Sequence, residues 1–133
     1  MSKKEDYKIK NEAFLSALRA DENVKELPNG VLYRELQIGE GERMPKLHNI
    51  VTVHYSGRLI NGRVFDDSRE RGYPEAFRLR DVITGWQIAL QHMRVGDRWE
   101  IYIPSSLGYG SRTSGPIPGN STLIFDVELL GIA

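Results

Sequence analysis

The spacing of apolar residues switches between two periods along this chain, and each switch marks an element. Between Tyr7 and Ala20, the residues Ile9, Ala13, Phe14, Ala17 and Leu18 recur at helical spacing, which predicts a short helix with these groups on one face. A helix this short is marginal alone, so its apolar face must pack on something, either the main domain or a second chain. Asp21-Glu22-Asn23 breaks the periodicity, and Leu27-Pro28-Asn29-Gly30 is a turn signal. From there the period falls to two. Val31 to Ile38 reads as a strand stopped by Gly39-Glu40-Gly41. Ile50 to Ile60 reads as a longer one, with Val51, Val53 and Tyr55 on one face and Thr52, His54 and Ser56 on the other. Asn61-Gly62 suits the positive φ angles of a type I′ hairpin, and Val64-Phe65-Asp66 returns on the far side.

Phe77 to Val82 is a further short extended piece. Thr84, with Gln87 three residues later, predicts a capping box opening a helix that runs to about Met93. Gly96-Asp97 is a turn, and Trp99, Ile101 and Ile103 alternate with Glu100 and Tyr102 in a strand that Pro104 ends. Ser105 to Ser121 is a loop rich in Gly, Ser and Pro, and Thr122 to Leu130 is the last strand. Strands outnumber helices, and the internal helix lies between strand runs. The economical arrangement is an α+β fold, an antiparallel sheet curved around that helix, with a helical extension at residues 1–25 and the main domain at 26–133.

Composition narrows the function classes. At 133 residues the chain is the size of one domain, and 40% hydrophobic with 27% charged residues is ordinary for a globular protein. Lys plus Arg equals Asp plus Glu at 18 each, which argues against nucleic acid as a partner. The absence of cysteine removes thiol catalysis and disulfides. The charged start Met1-Ser2-Lys3-Lys4-Glu5-Asp6 and the lack of any run near ~20 apolar residues predict no membrane span. They point to a cytoplasmic location, or a periplasmic one if a leader has been removed.

Familiar catalytic patterns do not appear. His48, His54 and His92 lack H-x-x-x-H spacing, and there is no G-x-S-x-G elbow or P-loop. Asp66 and Asp67, as strand neighbours, should point to opposite faces rather than converge on a metal. No metal or other cofactor is called for. What stands out is a set of aromatics beside turns and loops: Tyr55, Phe65, Trp86, Tyr109 and Phe125. Most are accounted for as core, but Tyr109, between Gly108 and Gly110, is placed to face a ligand.

Five segments in order carry a resemblance: Val53-His54-Tyr55-Ser56-Gly57, Gly62-Arg63-Val64-Phe65-Asp66-Asp67-Ser68, Val82-Ile83-Thr84-Gly85-Trp86, Gly108-Tyr109-Gly110, and Leu123-Ile124-Phe125-Asp126-Val127-Glu128-Leu129. Together they resemble FKBP-type peptidyl-prolyl cis/trans isomerases, over about Leu27 to the C-terminus. The N-terminal helix with Leu27-Pro28-Asn29-Gly30-Val31-Leu32-Tyr33 resembles the bacterial macrophage infectivity potentiator branch, in which a helical region serves homodimerisation. The resemblance implies a five- to six-stranded antiparallel sheet wrapped over one short helix. It implies a pocket with Trp86 as floor and Tyr55, Phe65, Val82, Ile83 and Phe125 as walls. Tyr109 through its hydroxyl and Ile83 through its backbone N–H would meet substrate carbonyls. Asp66 would sit at the rim with Arg71 as charge partner, and Ile117 would cover one side. Tyr55, Asp66, Tyr109 and Phe125 are the residues the resemblance marks as catalytic.

The implied activity is rotation about X–Pro bonds in folding chains, with proline-containing polypeptides as substrates and macrolides such as rapamycin or tacrolimus as inhibitors. The competing reading is a non-catalytic module or chaperone that holds proline peptides. Three departures from the family pattern are visible. Ile117-Pro118-Gly119 replaces Ile-Pro-Pro, which predicts a more mobile loop. Glu75-Ala76 replaces a second aromatic, which predicts weaker macrolide binding. The stretch from Phe77 to Val82 is too short for the chaperone insert of some bacterial members.

Overall fold

The computed structural model describes residues 2–133. Helix α1 (Lys3–Arg19) leads into strands β1 (Lys25–Glu26), β2 (Leu32–Gln37), β3 (Ile50–Arg58) and β4 (Val64–Asp67). One turn of helix, α2 (Ser68–Arg71), precedes β5 (Glu75–Arg78). Helix α3 (Thr84–Leu90), β6 (Arg98–Ile103) and β7 (Leu123–Ile132) complete the chain. The strands form one antiparallel sheet in the order β1-β2-β6-β7-β3-β4, with β5 also paired to β3. The sheet has seven strands where five to six were implied. The addition comes from the two-residue β1 and from β4 and β5 sharing β3, β4 at Ser56–Arg58 and β5 at Ile50–Val53. The last strand, β7, lies in the middle of the sheet between β6 and β3.

Alternation along the strands sorts the side chains into two faces. On the inner face Val51, Val53, Tyr55, Trp99, Ile101, Ile103, Phe125 and Val127 close over Trp86, Ala89 and Leu90 of α3 in one buried cluster. On the outer face Leu15 of α1 packs on Leu32, Tyr102 and Ile124, flanked by Phe14 and Leu18. The rest of that face carries charge pairs across strands. Arg98 donates twice to Asp126 at 2.9 and 2.7 Å, and Arg69 donates to Glu128 at 2.9 Å.

Several local expectations are corrected. The buried side of α1 is Tyr7, Asn11, Phe14, Leu15 and Leu18, while Ile9, Ala13 and Ala17 face solvent. Only Phe14 and Leu18 of the predicted face turn inward. The docked face is rotated because two polar groups, Tyr7 and Asn11, have partners on the domain. Phe14 and Leu18 are thus spent on the chain's own sheet, and pairing with a second copy would have to use the other side of the helix.

The hairpin after β3 is not type I′. Only Gly62 has positive φ (90°), and Asn61 does not. Hydrogen bonds from Gly62 N–H to Leu59 O (2.9 Å) and from Leu59 N–H to Arg63 O (3.0 Å) close a three-residue loop ending in a left-handed glycine. The capping box is also absent. Ile83 is the N-cap of α3, without a side-chain bond, and α3 ends at Leu90. Gln87 Nε2 instead donates to Val82 O (2.8 Å) and Arg80 O (3.2 Å), fixing the segment that enters the helix.

Candidate active site

A cleft of about 560 Å³ opens between the sheet, α3 and the loop before β7. Nine residues picked out by sequence line it: Tyr55, Phe65, Asp66, Val82, Ile83, Trp86, Tyr109, Ile117 and Phe125. Each comes from a different constraint. Tyr55 and Phe125 are inward positions of the paired strands β3 and β7, two registers apart and so on one face. Phe65 comes from β4, and Trp86 from the first turn of α3. Tyr109 and Ile117 are carried by the long loop.

The rings meet edge to face, the arrangement their quadrupoles favour. Trp86 lies 5.1 Å from Tyr55 at 87°, 5.3 Å from Phe125 at 87° and 5.7 Å from Phe77 at 90°. Phe65 meets Phe125 at 5.7 Å and 90°. Trp86 is only 4% exposed, and its indole N–H is buried without a hydrogen-bond partner among the described residues. Tyr109, by contrast, is 44% exposed at the mouth. The Ile83 N–H, at the turn into α3, has no protein acceptor among the described residues.

Polar groups gather at one rim. The Tyr55 hydroxyl donates to Asp66, and Arg71 pairs with the same carboxylate. Arg71 stands outside the cleft lining, holds Glu75 at 3.1 Å, and has its guanidinium 5.9 Å from the Tyr55 ring centroid. Arg69 is turned to the outer face. Burial, and then the bond to Asp66, pushes the Tyr55 hydroxyl up to about 12. Burial would raise Asp66, but the bonds from Tyr55 and Arg71 outweigh it and hold the carboxyl below its ordinary value. Asp67 diverges from Asp66 as strand alternation predicts. It caps α2 by accepting from Arg69 N–H (3.0 Å) and Glu70 N–H (3.2 Å).

Three features were not found from sequence. Phe77 belongs to the cleft and completes the ring of aromatics around Trp86. Its run was too short for alternation to assign a face. Gly57 matters through what it lacks. A Cβ there would lie 2.6 Å from Phe65 Cζ and 2.7 Å from Phe125 Cε1, so only glycine lets the two rings close over β3. Gly57→Ala should displace both rings and cost about 1–3 kcal/mol, read from urea unfolding, with a matching loss of ligand affinity. Finally, Gly119 is explained by contact rather than mobility. A Cβ would fall 2.1 Å from Ser111 O, and Gly119 N–H donates to Thr113 Oγ1 at 3.2 Å. The loop is bonded to itself at this glycine.

Comparison with known proteins agrees with this geometry. The family model described as FKBP-type peptidyl-prolyl cis-trans isomerase matches residues 41–130. The peptidyl-prolyl cis-trans isomerase Mip of Coxiella burnetii is 49% identical over 124 residues, covering 92% of this chain and 54% of its own length. The outer membrane protein MIP of Legionella longbeachae is 42% identical, covering 98% of this chain and 56% of its own. The chain thus spans about half the length of these curated relatives. The crystal structure of a peptidyl-prolyl cis-trans isomerase from Pseudomonas syringae pv. tomato superposes with a TM-score of 0.91 at 36% identity, covering 100% of this chain and 98% of that one. Among the described residues no helix is long and apolar enough to cross a membrane. The cytoplasmic expectation gains no support, since the Legionella relative is named for the outer membrane. An ordered cleft of aromatics on a sheet wrapped over one helix, matched by family and by structure, makes this chain a member of the FKBP-type peptidyl-prolyl cis-trans isomerase family.

Proposed function

We propose that this chain accelerates rotation about X–Pro bonds in proline-containing polypeptides, with residues 26–133 as the isomerase domain. The observation that carries the reading is the aromatic cleft with Trp86 as floor and, at its edge, the Ile83 N–H and the Tyr109 hydroxyl, which have no partner among the described residues. Rotation must cross a barrier of ~18–20 kcal/mol because the planar amide is resonance-stabilised. Left alone it takes tens to hundreds of seconds. No covalent bond breaks, so neither nucleophile nor proton transfer is required.

The pocket needs only to favour the twisted amide over the planar one. Twisting ends the resonance, reduces charge on the carbonyl oxygen and returns a lone pair to nitrogen. Apolar rings penalise the more polar planar form, so enclosing the prolyl ring between Tyr55, Phe65, Trp86 and Phe125 lowers the barrier. The Ile83 N–H and the Tyr109 hydroxyl fix the flanking carbonyls and supply positioning. Asp66, held by Tyr55 and Arg71, shapes the rim without exchanging protons. Ile117 covers one side of the cleft. Rapamycin or tacrolimus should compete for the same cleft, weakly, because Glu75-Ala76 add no aromatic wall.

A protease-coupled or NMR exchange assay on a short proline peptide tests the reading. Faster cis–trans exchange, suppressed by a macrolide, is expected. Peptide binding without faster exchange would favour the holding module instead, since equal affinity for ground and transition states gives no rate.

A further inference from the structure

Helix α1 lies outside the cleft, yet its polar contacts reach the loop that carries Tyr109 and Ile117 of the cleft lining. Asn11 is only 2% exposed. Its Oδ1 accepts from Thr122 N–H at 2.7 Å, its Nδ2 donates to Tyr7 O at 2.8 Å, and its backbone carbonyl accepts from Thr122 Oγ1 at 3.4 Å. One turn earlier, the Tyr7 hydroxyl meets Ser121 Oγ at 2.7 Å, while Ser121 Oγ donates to Pro118 O at 2.7 Å. A serine hydroxyl has one proton to give, so Tyr7 is the donor to Ser121. These bonds grip the chain where it leaves the loop and joins β7.

The grip is relayed to the cleft by the loop's own bonding. Asn120, the residue before Ser121, holds a left-handed φ of 66°, uncommon for a residue with a side chain. Its N–H donates to Gly110 O at 2.8 Å, beside Tyr109. Ser114 and Ile117 exchange backbone bonds at 2.8 and 2.9 Å across the tip, and Gly119 N–H donates to Thr113 Oγ1 at 3.2 Å, tying the tip to the base. An Asn in the buried stripe of a short helix has no packing rationale of its own. Its rationale is the buried Thr122 N–H, which would otherwise lack an acceptor.

We infer that Asn11 and Tyr7 are positioning residues for isomerisation: α1 clasps the base of the 110–122 loop and sets Ile117 and Tyr109 against the substrate. The inference rests on the isomerase reading above. A loosened clasp leaves the rings of the cleft floor in place, so the loss should fall on substrate capture. Asn11→Leu should raise KM about tenfold with kcat within about twofold, at a temperature where the variant is fully folded. Tyr7→Phe, which removes one oxygen and spares the packing, should act in the same direction by about threefold.

Amide hydrogen exchange, measured by NMR without substrate, provides the second readout. Exchange at Ile117 and Asn120 should quicken in both variants, while that of Ile101 and Val127 in the sheet stays as in the parent. A helix that only adds stability would lower the unfolding midpoint and leave loop exchange and KM unmoved, and that result overturns the inference. If Asn11→Leu fails to fold, Tyr7→Phe decides by the same two measurements. If the parent itself does not speed X–Pro rotation, the isomerase reading fails, and unchanged loop exchange is what separately rejects the clasp.

Discussion

Trp86→Phe should yield a folded protein about as stable as the parent but about tenfold poorer in kcat/KM, whereas Trp86→Ala should lose about 3–5 kcal/mol of stability. The difference comes from two opposed terms. Trp86 fills the centre of a ring of Tyr55, Phe77 and Phe125, and truncation to alanine empties it. Its indole N–H, however, is buried with no partner among the described residues, and an unsatisfied buried donor costs about 1–3 kcal/mol that phenylalanine does not carry. The smaller ring loses a comparable amount of buried area, so the two effects nearly cancel in the unfolding free energy. They do not cancel in function, because a shallower floor no longer meets the prolyl ring. Urea unfolding and peptide exchange on the same preparations separate the terms. A folded Trp86→Phe protein with unaltered exchange and unaltered macrolide affinity would remove Trp86 from the site.

The second large effect is a flat response where an acid–base enzyme would respond steeply. Across pH 5 to 9 the parent's kcat/KM should stay constant, because Asp66 titrates below its ordinary range and Tyr55 near about 12. Asp66→Asn should lose about tenfold, a barrier change of about 1.4 kcal/mol, and keep the flat profile. The amide still accepts from Tyr55 but no longer pairs with Arg71. Stability should follow the signs of the shifts. The Asp66 contribution is present above the ordinary carboxylate value and lost as pH falls through its lowered folded value. The Tyr55 contribution is full below pH 10 and lost as pH rises toward about 12. A bell-shaped profile erased by Asp66→Asn would establish proton transfer and overturn the mechanism.

Legibility in the sequence followed the length of each signal. Ile50–Arg58 offers nine residues of alternation, enough to fix its inner face and so to place Tyr55. Phe77 sits in a four-residue strand, where periodicity assigns no face. Asn61-Gly62 was read one residue too generously, since the positive φ belongs to Gly62 alone. Thr84 and Gln87 have capping-box spacing, but the Gln87 amide is drawn to the carbonyls of Arg80 and Val82, which no spacing rule anticipates. Apolar groups alone do not mark the docked face of α1. Asn11, polar and central in the docked stripe, was the available clue, because a buried amide implies a specific partner. The ordered motifs meet at one cleft because they sit on neighbouring strands, at one helix start and on the loop before β7.

The place of β7 between β6 and β3 has a consequence for how this protein is made. Its pairs join residues 51–58 to residues 124–132, so the widest separations among the strand pairs meet in the middle of the sheet. Pairings of that kind form slowly, after a long loop has closed. During synthesis the segments up to residue 122 can supply hairpins and α3, but not a closed sheet and not a cleft, since Phe125 arrives with the last strand. A nascent chain should therefore stay protease-sensitive on the ribosome until β7 clears the exit tunnel, and then become resistant in a single step. The aromatic cleft would thus be assembled only once β7 has joined the sheet.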